Sequence, residues 1–335
     1  MKVYKGYQIF CVADGCGWGE RPKEASNRLK DSFLDYFEGK TFKTLKEIST
    51  HLVHACAFAN HCISYGKEDI WMAGTSTALG GLIVELEEKK KKKKNETNNV
   101  PPWAFVFLSI GDCKCFKWDC ALKTCTDITA GNRVHVTDAR DPGGRLGPQK
   151  KDGQPDLRNL DMFWVGCNEG DIIMTMSDGV HDNLDPQTLG HVPSEFGQKV
   201  DSWDDIDPKL CTDIKTKFMN DLITKIITTD ISEVPQSFMN DPLPLSNNTE
   251  ARPVTPALIT KRLVRYCLKL TRNAREWMEQ NPNGTLESDY QKYPGKLDHT
   301  TCVACMVGTH EPNVEEDDVP DNGQTSSLRP EVWPY

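Results

Sequence analysis

A second CxxC pair is lacking among the 13 cysteines: Cys302/Cys305 is the single one. The other close approach is Cys113/Cys115, so a tetrahedral zinc site lacks its second pair and a lone CxxC inside an apolar run is a weak thioredoxin-like signal. Also missing is any apolar run of membrane-spanning length. The opening Met1-Lys-Val-Tyr-Lys is no signal peptide, because no small-residue cleavage site follows an apolar core. Reduced thiols in a cytoplasmic or nuclear setting are therefore the expectation, with the sequons at Asn95, Asn247 and Asn283 unused. A basic surplus is absent too: 40 Lys and Arg against 49 Asp and Glu leave a net charge of −9. That balance argues against a duplex nucleic-acid partner, and the expectation is a monomer with neither a nucleic-acid nor a membrane partner. The P-loop pattern GxxxxGK[ST] is missing, and no internal repeat is visible. An excess of carboxylates suits a chain that holds hard divalent cations, and equally one that is merely soluble.

What is present begins with YQIFCVA (7–13), a buried strand by its aromatic and β-branched content. It runs into Asp14 and the glycines Gly15, Gly17 and Gly19. Pro22 then suits the first position of a helix on which Ala25, Leu29, Phe33 and Phe37 share a face. A second helix is predicted over about 44–65, with Leu45, Ile48, Leu52, Ala55, Cys56, Ala59 and Ile63 aligned. The runs GTSTALGGLIVEL (74–86) and WAFVFLSIGD (103–112) read as a hairpin around a polar break. That break holds six consecutive lysines (89–94), either a solvated loop or a targeting segment. Residues 138–155 read as a loop, and 162–165 and 171–179 as strands. Two helical stretches, about 209–228 and 256–279, flank a Pro- and Asn-rich linker at 232–253, and a strand follows at 300–308. These elements predict an α+β fold, a sandwich of sheets covered by helices. Residues 1–310 would form one domain with a long helical insert at about 185–297. Residues 311–335 would be an acidic, disordered tail.

Four aspartates stand at the ends of apolar runs. Asp14, Asp112 and Asp178 close theirs, and Asp298 precedes TTCVACMV. Strands of one sheet can gather such ends, and crowded carboxylates take up protons unless a cation compensates them. With glycines alongside, the group suits Mg²⁺ or Mn²⁺, which prefer oxygen ligands and accept backbone carbonyls. Asp-Gly pairs are also ordinary turn formers, and that plainer reading stays open for each aspartate taken alone.

Five segments resemble, in order, motifs of the metal-dependent protein phosphatases of the PPM, or type 2C, class. VADGCGWG resembles their DGHGG segment, GTSTAL their Gly-Thr-Thr-Ala strand, and SIGDCKCFKW their GDSRA strand. IIMTMSDGVHDNL resembles SDGLWD, and LDHTTCVAC resembles the terminal DNxT motif. The match spans residues 7–308. It implies an α-β-β-α sandwich of two antiparallel sheets flanked by helices, acting as a serine/threonine protein phosphatase on phosphoprotein substrates. The resemblance further implies two or more Mg²⁺ or Mn²⁺ ions: Asp14 would bridge two metals and Gly15 would offer its backbone oxygen. Asp178 and Asp298 would complete the first metal's shell, and Asp112 with Asp178 would serve a third. Catalysis would then centre on Asp14, Asp178 and Asp298, with a metal-activated water attacking phosphorus.

Departures from the pattern lie at the start and at single residues. The family's early strands carry a phosphate-binding Arg and an acidic pair, which MKVYKGYQ lacks; Glu20 and Arg21 are local substitutes to consider. Cys16 replaces the family's DGHG histidine, His181 its tryptophan, and His299 the Asn of DNxT. Only Gly143 and Gly144 of the family's Gly-Gly segment remain in DARDPGGRLG. A catalytically weak or inactive phosphatase-like scaffold or regulator is the alternative function. A dinucleotide-binding reading fails because the glycines are spaced GxGxG and no βα series follows.

Overall fold

The computed structural model describes residues 1–4, 6–86, 101–133, 135–138, 141–229 and 253–308. Its two sheets are entirely antiparallel. In the first, the strands β1 (Lys2–Tyr4), β2 (Tyr7–Val12), β3 (Ala78–Glu85), β4 (Trp103–Ile110) and β7 (Asp161–Cys167) lie in the order β1-β2-β3-β4-β7. The second orders β6 (Thr124–Asp127), β5 (Lys114–Asp119), β8 (Ile172–Met176) and β9 (Cys302–Met306) as β6-β5-β8-β9. The hairpin expected around the lysine run is present, with Ala78 opposite Ile110 and Glu85 opposite Trp103. The lysine run itself, most of the 232–253 linker and the 311–335 tail lie outside the described residues.

Because strand side chains alternate between faces, each inner strand feeds two cores. Ile9 and Cys11 of β2 face helices α1 (Glu20–Tyr36) and α2 (Leu45–Ser64), packing on Leu29, Phe33, Leu52 and Ala59. Phe10 and Val12 point the other way, into a core between the sheets with Phe105, Phe107, Cys115 and Ile173. On the far side, Phe116, Ile172 and Met174 meet Met219 and Ile223 of α4 (Pro208–Thr228) and Ile259 and Leu263 of α5 (Pro256–Leu270). Three cores between four layers make an α-β-β-α sandwich. The helices inside 185–297 therefore include the outer layer that covers the second sheet.

Local chemistry explains where elements begin and stop. Helix α1 starts at Glu20, so Pro22 sits in the first turn, where its missing N–H has no intrahelical partner to lose. The stretch predicted as one helix over 256–279 is two, α5 and α6 (Arg272–Gln280). Thr271 separates them, and its hydroxyl donates back to the Cys267 carbonyl at 2.8 Å. All 13 cysteines are free thiols, and among the described residues no helix is long and apolar enough to cross a membrane.

Candidate active site

Strand register brings the four aspartates to one edge of the sandwich. Val12 and Ile110 pair with the adjacent β3 residues Leu79 and Ala78, so β2 and β4 end side by side, just before Asp14 and Asp112. In the other sheet Met176 pairs with both Lys114 and Cys302. The end of β8, leading into Asp178, thus lies beside the start of β9, which follows Asp298. Asp178 opens the short helix α3 (Asp178–His181).

The turn at Asp14 is held from behind. Its carbonyl accepts from the Thr77 backbone N–H at 2.8 Å and from the Ser76 hydroxyl at 2.9 Å. A Cβ on Gly15 would overlap the Pro22 carbonyl, so glycine is what lets the turn close onto α1. A Cβ on Gly179 would likewise run into the His299 carbonyl. Asn159 fixes the Asp112 turn, its side-chain oxygen accepting from Gly111 and Gly144 at 2.9 and 2.8 Å. Gly143 and Gly144 pack against that amide, where no Cβ would fit.

Electrostatically the cleft is carboxylate-rich, and its charges are balanced unevenly. Burial first, then the neighbouring Asp178, Asp298 and Asp112, push Asp14 up to about 8. Asp112, also buried and close to Asp178, rises to about 6, with Arg133 pulling the other way. Asp182 behaves in the opposite sense. It is buried, yet Arg133, His181 and Lys296 overcome the burial and hold it well below the usual carboxylate range. The Arg133 guanidinium reaches Asp182 at 2.8 Å and Asp112 at 3.4 Å. The Lys296 ammonium touches Asp178 and lies 3.2 Å from Asp182 and 3.1 Å from Asp298.

Of the expected site residues, Asp14, Asp112, Asp178 and Asp298 thus share one electrostatic neighbourhood, and Gly15 adjoins it. Glu20 and Arg21 do not join them. Glu20 is exposed beside Lys23, and Arg21 reaches back to the Trp71 carbonyl at 3.4 Å. The Cys16 thiol is pushed up to about 11, chiefly by burial with Arg145 opposing, so it stays protonated at neutral pH and is no nucleophile. His181 is fully buried, 3.1 Å from Asp182, with its Nε2 unpartnered among the described residues. His299 lies at the rim, 3.7 Å from Asp298, with the largely exposed Trp18 ring 4.6 Å away.

Sequence reasoning missed Lys296, Arg133, Asp182, Asn183 and Asn159. Asp182 closes the SDGVHD segment and was legible there; Lys296 stands two residues before Asp298. Arg133 and Asn159 come from loops with no periodic cue.

The donors suit a hard cation: all are oxygens, and Asp178 Oδ1 is buried without a hydrogen-bond partner among the described residues. Their arrangement is less complete. Among the described residues no group of three or more His, Cys, Asp or Glu side chains stands gathered to hold an ion, and the Lys296 ammonium lies among the carboxylates instead. An ion at this edge would have to draw on Asp14, Asp178 and Asp298, and a second would find, among the described residues, Asp14 and the Gly15 carbonyl.

No protein-family model matches the chain, and no curated protein matches its sequence. Several solved structures are similar to it. One is the serine/threonine phosphatase of S. agalactiae, at 14% identity over 66% of this chain and 84% of that one, with a TM-score of 0.42. Another is the photosystem II phosphatase PBCP, at 16% identity over 90% and 92%, with a TM-score of 0.44. A third is the Mycobacterium tuberculosis serine/threonine phosphatase PstP/Ppp, at 12% identity over 92% of each chain, with a TM-score of 0.42.

Proposed function

We propose that this protein hydrolyses phosphoserine and phosphothreonine esters in phosphoprotein substrates, using Mg²⁺ or Mn²⁺ held by Asp14, Asp178 and Asp298. The observation that carries the reading is the convergence of those carboxylates, from the ends of strands in two sheets, on one edge of the sandwich. A divalent cation there supplies a water of lowered pKa and neutralises phosphate oxygens.

The chain's own residues set the conditions. Asp14 must give up the proton that burial and the neighbouring carboxylates place on it before it can serve as a ligand, so ligation would compete with protonation below about pH 8. Asp112 and Asp182 share Arg133, whose charge holds Asp182 ionised and offsets part of the burial of Asp112. His299, at the rim 3.7 Å from Asp298, would be the candidate to hand a proton to a departing seryl or threonyl oxygen. Cys16 holds its proton too firmly for that task.

A second reading, a phosphatase-like scaffold or regulator of little activity, is favoured by one specific observation: Lys296 lies where ligands should be free. Phosphate release from p-nitrophenyl phosphate and a phosphothreonine peptide separates the two. Turnover with Mn²⁺ that is abolished by EDTA and by Asp178→Asn supports the hydrolase. No turnover from folded protein supports the scaffold.

A further inference from the structure

The segment before β9 is built to deliver Lys296. Asn183, itself buried, takes hold of the Lys296 backbone from both sides. Its side-chain oxygen accepts from the Lys296 N–H at 2.9 Å, and its amide donates to the Lys296 carbonyl at 3.0 Å. One residue earlier, the Gly295 N–H donates to the Thr188 carbonyl at 2.7 Å, with Gly295 at φ 89°, a conformation glycine adopts without strain. A Cβ there would overlap the Asn183 side-chain oxygen. The same Asn183 amide donates to the Gly179 carbonyl at 2.8 Å, fixing the lysine relative to the turn that carries Asp178. From this anchored backbone the ammonium contacts Asp178, Asp182 and Asp298 together, and only about a fifth of the side chain stays exposed.

Resting on the reading of Asp14, Asp178 and Asp298 as a cation site, we propose that Lys296 is the resident cation of this centre and that a divalent ion binds only by displacing its ammonium from Asp178 and Asp298. The physical case is charge balance. Three carboxylates drawn together repel unless compensated, and an ammonium within about 3 Å of each supplies one positive charge without loss of conformational freedom to an outside ligand. A divalent ion supplies two charges and stronger oxygen coordination, but it must first free two carboxylates already paired. Lys296 therefore sets the concentration threshold at which the centre loads, and so decides between the hydrolase and the scaffold. The ligand class is a hard divalent cation, and Lys296 is a positioning residue that governs access to it.

Equilibrium dialysis of Mn²⁺ against the whole chain tests this, on the parent, Lys296→Gln and Lys296→Arg. Lys296→Gln is expected to bind Mn²⁺ at least tenfold more tightly than the parent, while Lys296→Arg, which keeps the charge, stays within about threefold of it. If parent and Lys296→Gln bind with equal, measurable affinity, displacement is wrong and the cation site stands. Equal tightening in Lys296→Gln and Lys296→Arg traces the gain to a loosened cleft and also overturns the proposal. If neither the parent nor Lys296→Gln binds Mn²⁺, the cation site itself is wrong and the proposal falls with it. Should Lys296→Gln unfold without metal, its thermal midpoint is followed against Mn²⁺ concentration. Recovery of the fold by Mn²⁺ supports displacement, and no recovery overturns it.

Discussion

Asp182 and Asp14 stand at the same edge of the sandwich, in the same carboxylate-rich cleft, and end in opposite protonation states. Asp182 is deeply buried between Arg133 and Lys296 and stays ionised. Asp14, at the end of β2, is buried beside Asp178, Asp298 and Asp112 and takes up a proton near neutral pH. Burial raises both, so burial does not separate them. What separates them is whether the chain delivers a cation of its own. On the β8–β9 side it does, twice; on the β2 side it leaves the charge to a proton or to an ion from outside.

The largest expected effect strikes the compensated side. Asp182→Ala strands Arg133 and weakens the hold on Lys296, and it should cost about 3–5 kcal/mol of stability by urea denaturation. The pH dependence follows the depressed pKa. The stabilisation is fully present above the ordinary Asp value near 4 and lost as pH falls below it, so the gap between parent and variant closes in acid. A gap unchanged down to strongly acid pH would show that Asp182 acts through packing and not through its charge.

Gly15→Ala and Gly179→Ala probe the two turns sterically, because each new Cβ meets a backbone carbonyl that cannot step aside. Each should cost about 1–3 kcal/mol, read as a lowered thermal midpoint. Gly179→Ala should in addition shift His299, seen as a change in that imidazole's NMR signals, which Gly15→Ala leaves in place.

Asp14→Asn should act with the opposite sign. In EDTA it is expected to stabilise the protein by on the order of 1–2 kcal/mol at pH 9. Asp14 is raised in the folded state, so its contribution is intact below the ordinary Asp value and is lost as pH rises from about 4 through about 8. The gain from asparagine should therefore grow across that window and level off above it. A gain independent of pH would mean that the β2 side is balanced by something other than a proton. The smallest effect belongs to Trp18→Ala. Its exposed ring leans against His299 at a tilt of 48°, and stability should change by about 0.5 kcal/mol or less. Any larger change would be expected in KM for a phosphopeptide, measured by steady-state kinetics.

Much of this was legible in the sequence wherever an apolar run stops at an aspartate. Continuous apolar runs rich in aromatic and β-branched residues marked β2, β4 and β8, and the residues after them had to lie at strand ends. Antiparallel pairing through β3 and β9 then brought those ends to one edge. The helix break at Thr271 was not legible, because a threonine hydroxyl bonding one turn back leaves the apolar spacing untouched. Neither were the cations. Arg133 and Lys296 come from irregular segments, and nothing in their spacing says which carboxylates they meet. A pattern of aspartates shows where negative charge collects; the fold decides what neutralises it.

The most direct test of the account is diffraction from crystals grown with millimolar Mn²⁺, recorded to locate anomalous scattering. A peak is expected about 2 Å from carboxylate oxygens of Asp14, Asp178 and Asp298, with Lys296 swung away from Asp178. No peak at those carboxylates, with Lys296 still paired to Asp178 and Asp298, would contradict it.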